Sequence, residues 1–187
     1  TATAHNITVV GSTSFDAVVD LRSGACNGTN INCADATTSN GTEVITATGL
    51  TIGTTYFVRV YHFGSSVPAT TTFTICITTP APSNDDCLGA TSLTVYGATC
   101  GGATTGNVAS ATQSLAAITC NGATGTANDD VWYSFVATAT AHNITVVGSA
   151  SFDAVVDLRS GQCTGTNVNC ADSTFGGGTE VIRAIGL

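Results

Sequence analysis

A long internal repeat constrains the fold of this chain more than any other feature of its sequence. Residues 1–50 return as residues 138–187 at a constant offset of 137, and 40 of the 50 aligned positions are identical. Self-similarity at a fixed period is the signature of a repeated structural unit. The period is long enough for one ordinary domain with its own core. We therefore predict a tandem repeat of modules, each about 137 residues long.

The repeat does not coincide with the ends of the sequence. Leu187 aligns with Leu50, which lies in the interior of the repeat, and the sequence does not begin with Met. We expect the chain to be a window onto a longer array, or a processed subunit whose ends differ from the module ends. The Pro-containing stretch at residues 78–84 is the candidate linker. It separates residues 1–81, interpreted as the C-terminal part of one β-sandwich module, from residues 82–187, the N-terminal part of the next.

Alternation of apolar and polar residues predicts β-strands along most of the sequence. The candidate strands are rich in Val, Ile, Thr, Tyr and Phe, and clusters of Gly, Asn and Ser separate them. In the strand predicted over residues 14–22, alternate side chains from Phe15 to Leu21 share one face. About seven such strands with short turns predict an all-β fold of antiparallel β-sandwich modules. Further strands are expected over residues 5–10, 43–48, 55–63, 71–78, 92–96 and 130–137.

The composition argues against several classes of function. Twelve acidic against four basic residues give a net charge of −8, which disfavours nucleic acid and anionic membranes as partners. No apolar stretch approaches the roughly 20 residues of a membrane span. No Gly-x-Ser-x-Gly motif occurs, and His5 and His142 begin predicted strands, so we do not expect an enzyme. Asp20 and Arg22, two apart on one strand face, are expected to form a surface ion pair of little energetic weight.

Eight cysteines, six of them within one period, indicate disulfide bonds and an extracellular, oxidising environment. The Cys-x6-Cys pattern, present in both copies of the repeat, is expected to close a short hairpin loop rich in Asn and Gly. The four other cysteines allow three pairings. The predicted bonds are Cys26–Cys33, Cys163–Cys170 and, favoured among the three pairings, Cys100–Cys120 and Cys76–Cys87.

Three segments carry a resemblance to a known family. They are SFDAVVDLRSGACNGTNINCAD, NDDCLGATSLTV and DDVWYSFVATA, which begin at residues 14, 84 and 129. Together they resemble the pre-peptidase C-terminal-like domains that recur in tandem on large secreted and cell-surface proteins of bacteria. The resemblance implies jelly-roll-like β-sandwiches in an extracellular setting, and it implies no particular ligand.

The resemblance also implies a candidate calcium site. Some members of that family bind calcium near the N-terminus of the module through Asn and Asp side chains, and the matching residues here are Asn84, Asp85 and Asp86. Asp129 and Asp130 could complete such a site, because calcium takes six to eight oxygen ligands. The alternative is that the first group forms a turn and cap and the second lies in a solvated loop.

The function that we favour is structural. We expect a subunit or repeat of an extracellular filament, stalk or giant surface adhesin, whose partners are copies of itself. Adjoining repeats or strand exchange would complete each module, because an incomplete sandwich leaves sheet edges open. The alternative is a calcium-assisted accessory module of a secreted protein that binds a surface glycan or a protein. An ice-binding role would need regular Thr arrays at a short period, which the sequence lacks.

Overall fold

The structure, a computed structural model, describes residues 4–187, so residues 1–3 of the predicted repeat lie outside it. Two compact units divide the chain between Pro80 and Ala81, inside the predicted linker. A single turn of 3-10 helix at Cys87–Gly89 is the one helical element among the described residues. No helix in this part of the chain is long and apolar enough to cross a membrane.

Six strands form the first unit, and they are arranged in two antiparallel sheets of three. Their bounds are β1 His5–Gly11, β2 Ala17–Ser23, β3 Thr29–Ala34, β4 Thr42–Ala47, β5 Tyr56–His62 and β6 Phe73–Thr78. One sheet has the strand order β4-β1-β6, and the other has the order β3-β2-β5.

The core of the first unit lies between these two sheets. Ile7 from β1 and Ile45 from β4 belong to the same buried cluster as Val19 and Leu21 from β2. The predicted buried face of the second strand is confirmed, because all four alternate residues from Phe15 to Leu21 lie in this cluster. Each fully buried aliphatic or aromatic side chain contributes roughly 1.5–3 kcal/mol. The unit is an antiparallel β-sandwich, as predicted.

Eight strands form the second unit, and the last four repeat the first four of the chain. Their bounds are β7 Thr91–Ser92, β8 Thr119–Cys120, β9 Ala123–Thr124, β10 Tyr133–Ser134, β11 Ala141–Val147, β12 Val156–Arg159, β13 Asn167–Ala171 and β14 Thr179–Ile185. β11 pairs with β14 as β1 pairs with β4, and β12 pairs with β13 as β2 pairs with β3. Ala171, Ile182 and Ala184 form the buried cluster of this unit. Residues 81–187 contain no counterpart of β5 or β6.

The two copies of the repeat share local details of the backbone. The strand register shifts between Leu21 and Arg22 in one copy and between Leu158 and Arg159 in the other. The glycine that follows, at positions 24 and 161, has a φ of 80° in both copies. That left-handed conformation costs glycine little, and it begins the turn into β3 or β13. The repeated segment therefore adopts the same strand pairing and the same turn in both copies.

The strand predictions fail at two kinds of position. β3 and β13 were not predicted, because their Asn-rich sequences are typical of turns. The strands expected over residues 92–96 and 130–137 shrink to two residues each, β7 and β10, which pair in parallel rather than antiparallel. Backbone hydrogen bonds from Thr91 to Trp132 and from Leu93 to Ser134 extend this short ladder by one position at each end.

Candidate functional site: clamped loops, disulfides and open sheet edges

Two disulfide bonds hold the second unit together. Cys87 bonds with Cys163 and Cys120 bonds with Cys170, with Cα atoms 6.0 and 5.9 Å apart. Both bonds join the segment before β11 to the repeated segment that carries β12 and β13. They fix residues that are 76 and 50 positions apart in sequence.

All four predicted disulfide pairs are therefore wrong. The Cys163–Cys170 prediction fails because Cys170 lies inside β13, about 10 Å beyond its first residue at the rise of an extended strand. A disulfide rarely spans more than about 7 Å between Cα atoms, so the two cysteines of one hairpin do not pair. The same geometry applies in the first copy, where Cys26 precedes β3 and Cys33 lies four residues beyond its first residue, Thr29. The Cys76–Cys87 and Cys100–Cys120 pairs fail because Cys87 and Cys120 bond elsewhere. Four exposed cysteines stay as free thiols in the described residues: Cys26, Cys33, Cys76 and Cys100.

The first group of predicted calcium ligands anchors a loop instead. The carboxylate of Asp85 accepts hydrogen bonds from the Thr112 backbone N–H at 2.6 Å and from the Thr112 hydroxyl at 2.9 Å. The Asn84 side-chain amide donates to the Trp132 carbonyl at 3.0 Å, and the Asn84 carbonyl accepts from the Trp132 N–H at 2.8 Å. Asn84 and Asp85 are both buried. Asp86 precedes the 3-10 turn and makes no capping hydrogen bond with its side chain.

In the second group of predicted calcium ligands, Asp129 and Asp130, the Asp130 side chain also holds a loop. The carboxylate of Asp130 accepts from the Ser114 N–H and hydroxyl at 3.0 Å and from the Leu115 N–H at 3.1 Å. The Ser114 hydroxyl oxygen in turn accepts from the Trp132 indole N–H at 2.6 Å. Asp129 is exposed and makes no side-chain hydrogen bond within residues 4–187. Asp85 and Asp130 thus hold two neighbouring parts of one loop, residues 112–115, against the segments that contain Asn84 and Trp132.

The residues as placed do not fit a calcium ion. Within residues 4–187, no three or more His, Cys, Asp or Glu side chains come together in a group that could hold a metal. The oxygens of Asp85 and Asp130 already accept backbone N–H and hydroxyl groups, which a cation would have to displace. The arrangement supports the alternative interpretation, in which these acids stabilise turns and loops.

An ion-pair cluster surrounds a buried carboxylate on the central strand β2 of the first unit. The Arg22 Nε donates to Asp20 Oδ1 at 2.8 Å, and the Arg59 Nε donates to Asp20 Oδ2 at 2.7 Å. The Arg59 guanidinium also lies 4.8 Å from the centre of the Tyr61 ring. Burial raises the pKa of Asp20, but the hydrogen bonds and charges of the two arginines outweigh it and hold that pKa below its usual value. The predicted pair of Asp20 with Arg22 exists, but the expectation that it lies at the surface is wrong, because Asp20 is buried.

The second copy of this cluster is incomplete. The Arg159 Nε donates to Asp157 Oδ2 at 2.7 Å, as in the first unit. The other oxygen of Asp157 accepts from the side-chain amide of Asn167, and no second guanidinium pairs with it among the described residues. The Asp157 side chain is 26% exposed, whereas the equivalent Asp20 side chain is 3% exposed.

Apolar residues show the same difference between the two copies. Phe15 stacks on Phe73 with ring centres 5.5 Å apart, contacts His62 at 5.6 Å, and is 7% exposed. Phe152 has the same place in the repeat and is 36% exposed. Likewise Val18 is 6% exposed, and its counterpart Val155 is 50% exposed. In the first unit, the aromatic neighbours of Phe15 and the second arginine of the ion-pair cluster all come from residues 51–80.

A buried glutamate is the polar residue that the sequence interpretation missed. The Glu43 carboxylate on β4 accepts from the backbone N–H of Ala36 at 2.8 Å and of Thr37 at 2.7 Å, and from the Thr37 hydroxyl at 2.6 Å. Burial raises the pKa of Glu43, but these hydrogen bonds outweigh it and lower the pKa. Glu180 repeats the arrangement with Ser173 and Thr174, whose hydrogen bonds lower its pKa despite burial. The sequence does carry a signal for this buried carboxylate. Both copies of the repeat place a Glu at the same position inside a Thr-Glu-Val-Ile strand. Its role is to fix a loop.

Exposed aromatic side chains follow the edge strand β5. Tyr61 lies beside the Arg59 guanidinium, and Phe63 is the next aromatic residue along the chain; both are exposed. Trp132 is only partly buried, and Ser114 holds its indole N–H. Tyr61 at 42% and Phe63 at 65% are therefore exposed aromatic residues of the first unit, and Phe73 at 41% is another.

Comparison with known proteins gives one family. A family model described as galactose binding domain-like, which is associated with type IX secretion, matches residues 2–75 and again residues 83–179. The two matches cover most of the chain, and they separate close to the boundary between the two units. No curated protein and no solved structure matched the chain.

Proposed function

Because the chain belongs to the galactose binding domain-like family associated with type IX secretion, we propose that it is a structural repeat of an extracellular filament, stalk or surface adhesin. The family and the disulfide bonds indicate a secreted or cell-surface protein. In this proposal the β-sandwich modules follow one another in tandem, and adjoining repeats or strand exchange complete each of them. Its partners are copies of itself, and its role is not enzymatic.

The observation that carries this proposal is the repeat itself, folded twice with different surroundings. The 50-residue repeat, identical at 40 positions, forms a covered sandwich in the first unit and an open one in the second. Open edges of this kind favour association with another strand-forming segment. The matched family differs from the pre-peptidase C-terminal-like domains that the sequence resembles, so the proposal rests on the tandem repeat and not on that resemblance.

Labelling of intact cells tests the location and the assembly together. Antibodies against the purified chain should label unbroken cells and mark extended structures at their surface in electron microscopy. Disruption of type IX secretion should remove this surface label while the protein accumulates inside the cell. Labelling that requires lysis of otherwise normal cells would contradict the proposal.

The second candidate function is glycan binding by an accessory module, and the family description favours it. Sugars stack on exposed aromatic rings, and Tyr61 with Phe63 offers such a pair in the first unit. A glycan array that includes galactose-terminated chains should then show binding that Tyr61→Ala weakens at least about tenfold. Phe175→Ala removes an exposed ring from the second unit, 86% exposed against 42% for Tyr61, and serves as the control. An array without signal would argue against this candidate.

A further inference from the structure

The two sheets of the second unit each have an open edge, and we propose that both edges bind one more copy of the segment found at residues 51–80. This proposal rests on the tandem arrangement proposed above, and it names the partner of each module. The partner is a polypeptide segment with two strands like β5 and β6. It adds the first strand to β12 and the second strand to β11.

The sequences of the open strands fix the pairing that is expected. Residues 142–148 are identical to His5–Gly11, and residues 154–160 are identical to Ala17–Ser23. In the first unit, β2 pairs with β5 along its whole length, from Ala17 opposite His62 to Ser23 opposite Tyr56. Identical strands offer identical hydrogen-bonding edges and side-chain faces, so the added segment should take the same register.

The second strand is specified in the same way. β1 pairs with β6 from Asn6 opposite Thr78 to Gly11 opposite Phe73. Its counterpart β11 pairs with β14 on one side, and no strand of residues 81–187 lies on the other side. Val147 at the end of β11 is 69% exposed, whereas Val10 is 38% exposed. A strand like β6 would cover this edge.

The charge of Asp157 indicates that the added segment carries an arginine. Asp157 keeps one arginine but lacks the second one that Asp20 receives from Arg59. A carboxylate accepts several hydrogen bonds and favours a second guanidinium when it is shielded from water. A segment that carries an arginine at the position of Arg59 would therefore complete the cluster on β12.

The exposed side chain of Phe152 would be covered by aromatic residues of the same added segment. In the first unit, Phe73 and His62 cover Phe15, and both belong to residues 51–80. Copies of these two side chains would bring Phe152 to the low exposure of Phe15. One segment thus supplies the strand partners, the arginine and the aromatic cover that the second unit lacks.

An additional copy of the segment closes more edges than an exchange of segments does. If residues 51–80 of one molecule moved to cover β11 and β12 of another, they would expose β1 and β2 of their own unit. The number of open sandwiches would not change, so exchange brings no net burial of apolar surface. A further occurrence of the segment leaves none of these edges open.

A chain extended by one segment tests this pairing directly. Residues 51–80 are appended after Leu187, which reproduces the natural junction of Leu50 with Thr51. The extended and original chains are refolded with oxidised and reduced glutathione, and deuterium uptake is measured for residues 141–147 and 156–159. We expect uptake in the extended chain to slow by at least about tenfold in both strands, because their free amides gain partners. The matched control carries the same appended residues in scrambled order.

Equal uptake in the extended, original and scrambled chains would overturn the proposed docking. Protection that is lost with Asp157→Asn in the extended chain would support the arginine pairing, and unchanged protection would contradict it. These experiments use the purified chain, so their outcome does not depend on whether the protein is located on the cell surface.

Discussion

Arg59 on β5 donates to the buried carboxylate of Asp20 on β2, at 2.7 Å and across 39 residues of sequence. This contact joins the segment at residues 51–80 to the repeated part of the first unit. The equivalent carboxylate of Asp157 has no such partner within residues 4–187. The two copies of the repeat thus show what residues 51–80 add to it.

Removal of Arg59 should destabilise the first unit. Arg59→Leu leaves one oxygen of the buried Asp20 without its charged donor, and we expect a loss of about 1–3 kcal/mol in the free energy of unfolding. Arg183→Leu is the matched control, because Arg183 is exposed and forms no ion pair among the described residues. Scanning calorimetry measures both variants. Equal stability of the two variants would contradict the structural role of the Arg59 contact.

Acid should weaken the first unit through Glu43. Its folded pKa lies below the ordinary value of 4.5, so the charged form stabilises the fold above that pH. This stabilisation is lost as the pH falls below about 4.5 and through the folded pKa. Glu43→Gln should cost about 1–3 kcal/mol at pH 7 and flatten the decline of the unfolding temperature between pH 5 and pH 3, since Gln does not titrate. An acid decline as steep as that of the wild type would show that other groups control it.

The disulfide between Cys120 and Cys170 should contribute strongly to the second unit. Its loop of 50 residues implies about 4 kcal/mol in the chain-entropy model. The double variant Cys120→Ser with Cys170→Ser should therefore lower the denaturation midpoint of that unit, whereas Cys100→Ser should leave it unchanged. Peptide mapping without reduction checks the pairing. Fragments that join Cys163 to Cys170 would refute it.

The clamp made by Asp130 should act without a metal. Asp130→Ala removes the acceptor for Ser114 and Leu115, so we expect a loss of about 1 kcal/mol. Asp129→Ala is the control, because the Asp129 side chain makes no hydrogen bond in the described structure. A chelator should leave the unfolding temperature of the wild type unchanged. A fall in that temperature on chelation, reversed by calcium, would restore the calcium site expected from the resemblance.

The sequence predicts the repeated core well, because its signal is local. Alternation from Phe15 to Leu21 identifies a buried face, and the structure confirms it. The Asn-rich β3 escaped prediction because its pairing with β2, rather than its own composition, makes it a strand.

The polar sites depend on contacts between distant segments, so a local pattern does not predict them. The spacing of Asp20 and Arg22 predicts a simple surface ion pair. The contact from Arg59, which lies on another strand, is not visible in that local pattern. The disulfide predictions fail for the same reason. The cysteine that is nearest in sequence to Cys170 is Cys163, and the extended strand places the two too far apart to bond. Comparison of the two folded copies, rather than of sequence spacing, shows which partners belong together.

Electron cryo-microscopy of the native surface material tests the central claim most directly. The account predicts a string of β-sandwiches in which each strand like β11 and β12 pairs with a strand like β6 and β5 from the following segment of the same polypeptide. The carboxylate at the position of Asp157 should then contact two arginines. Isolated particles whose β11 and β12 edges face solvent, or edges paired with an unrelated protein, would contradict the account.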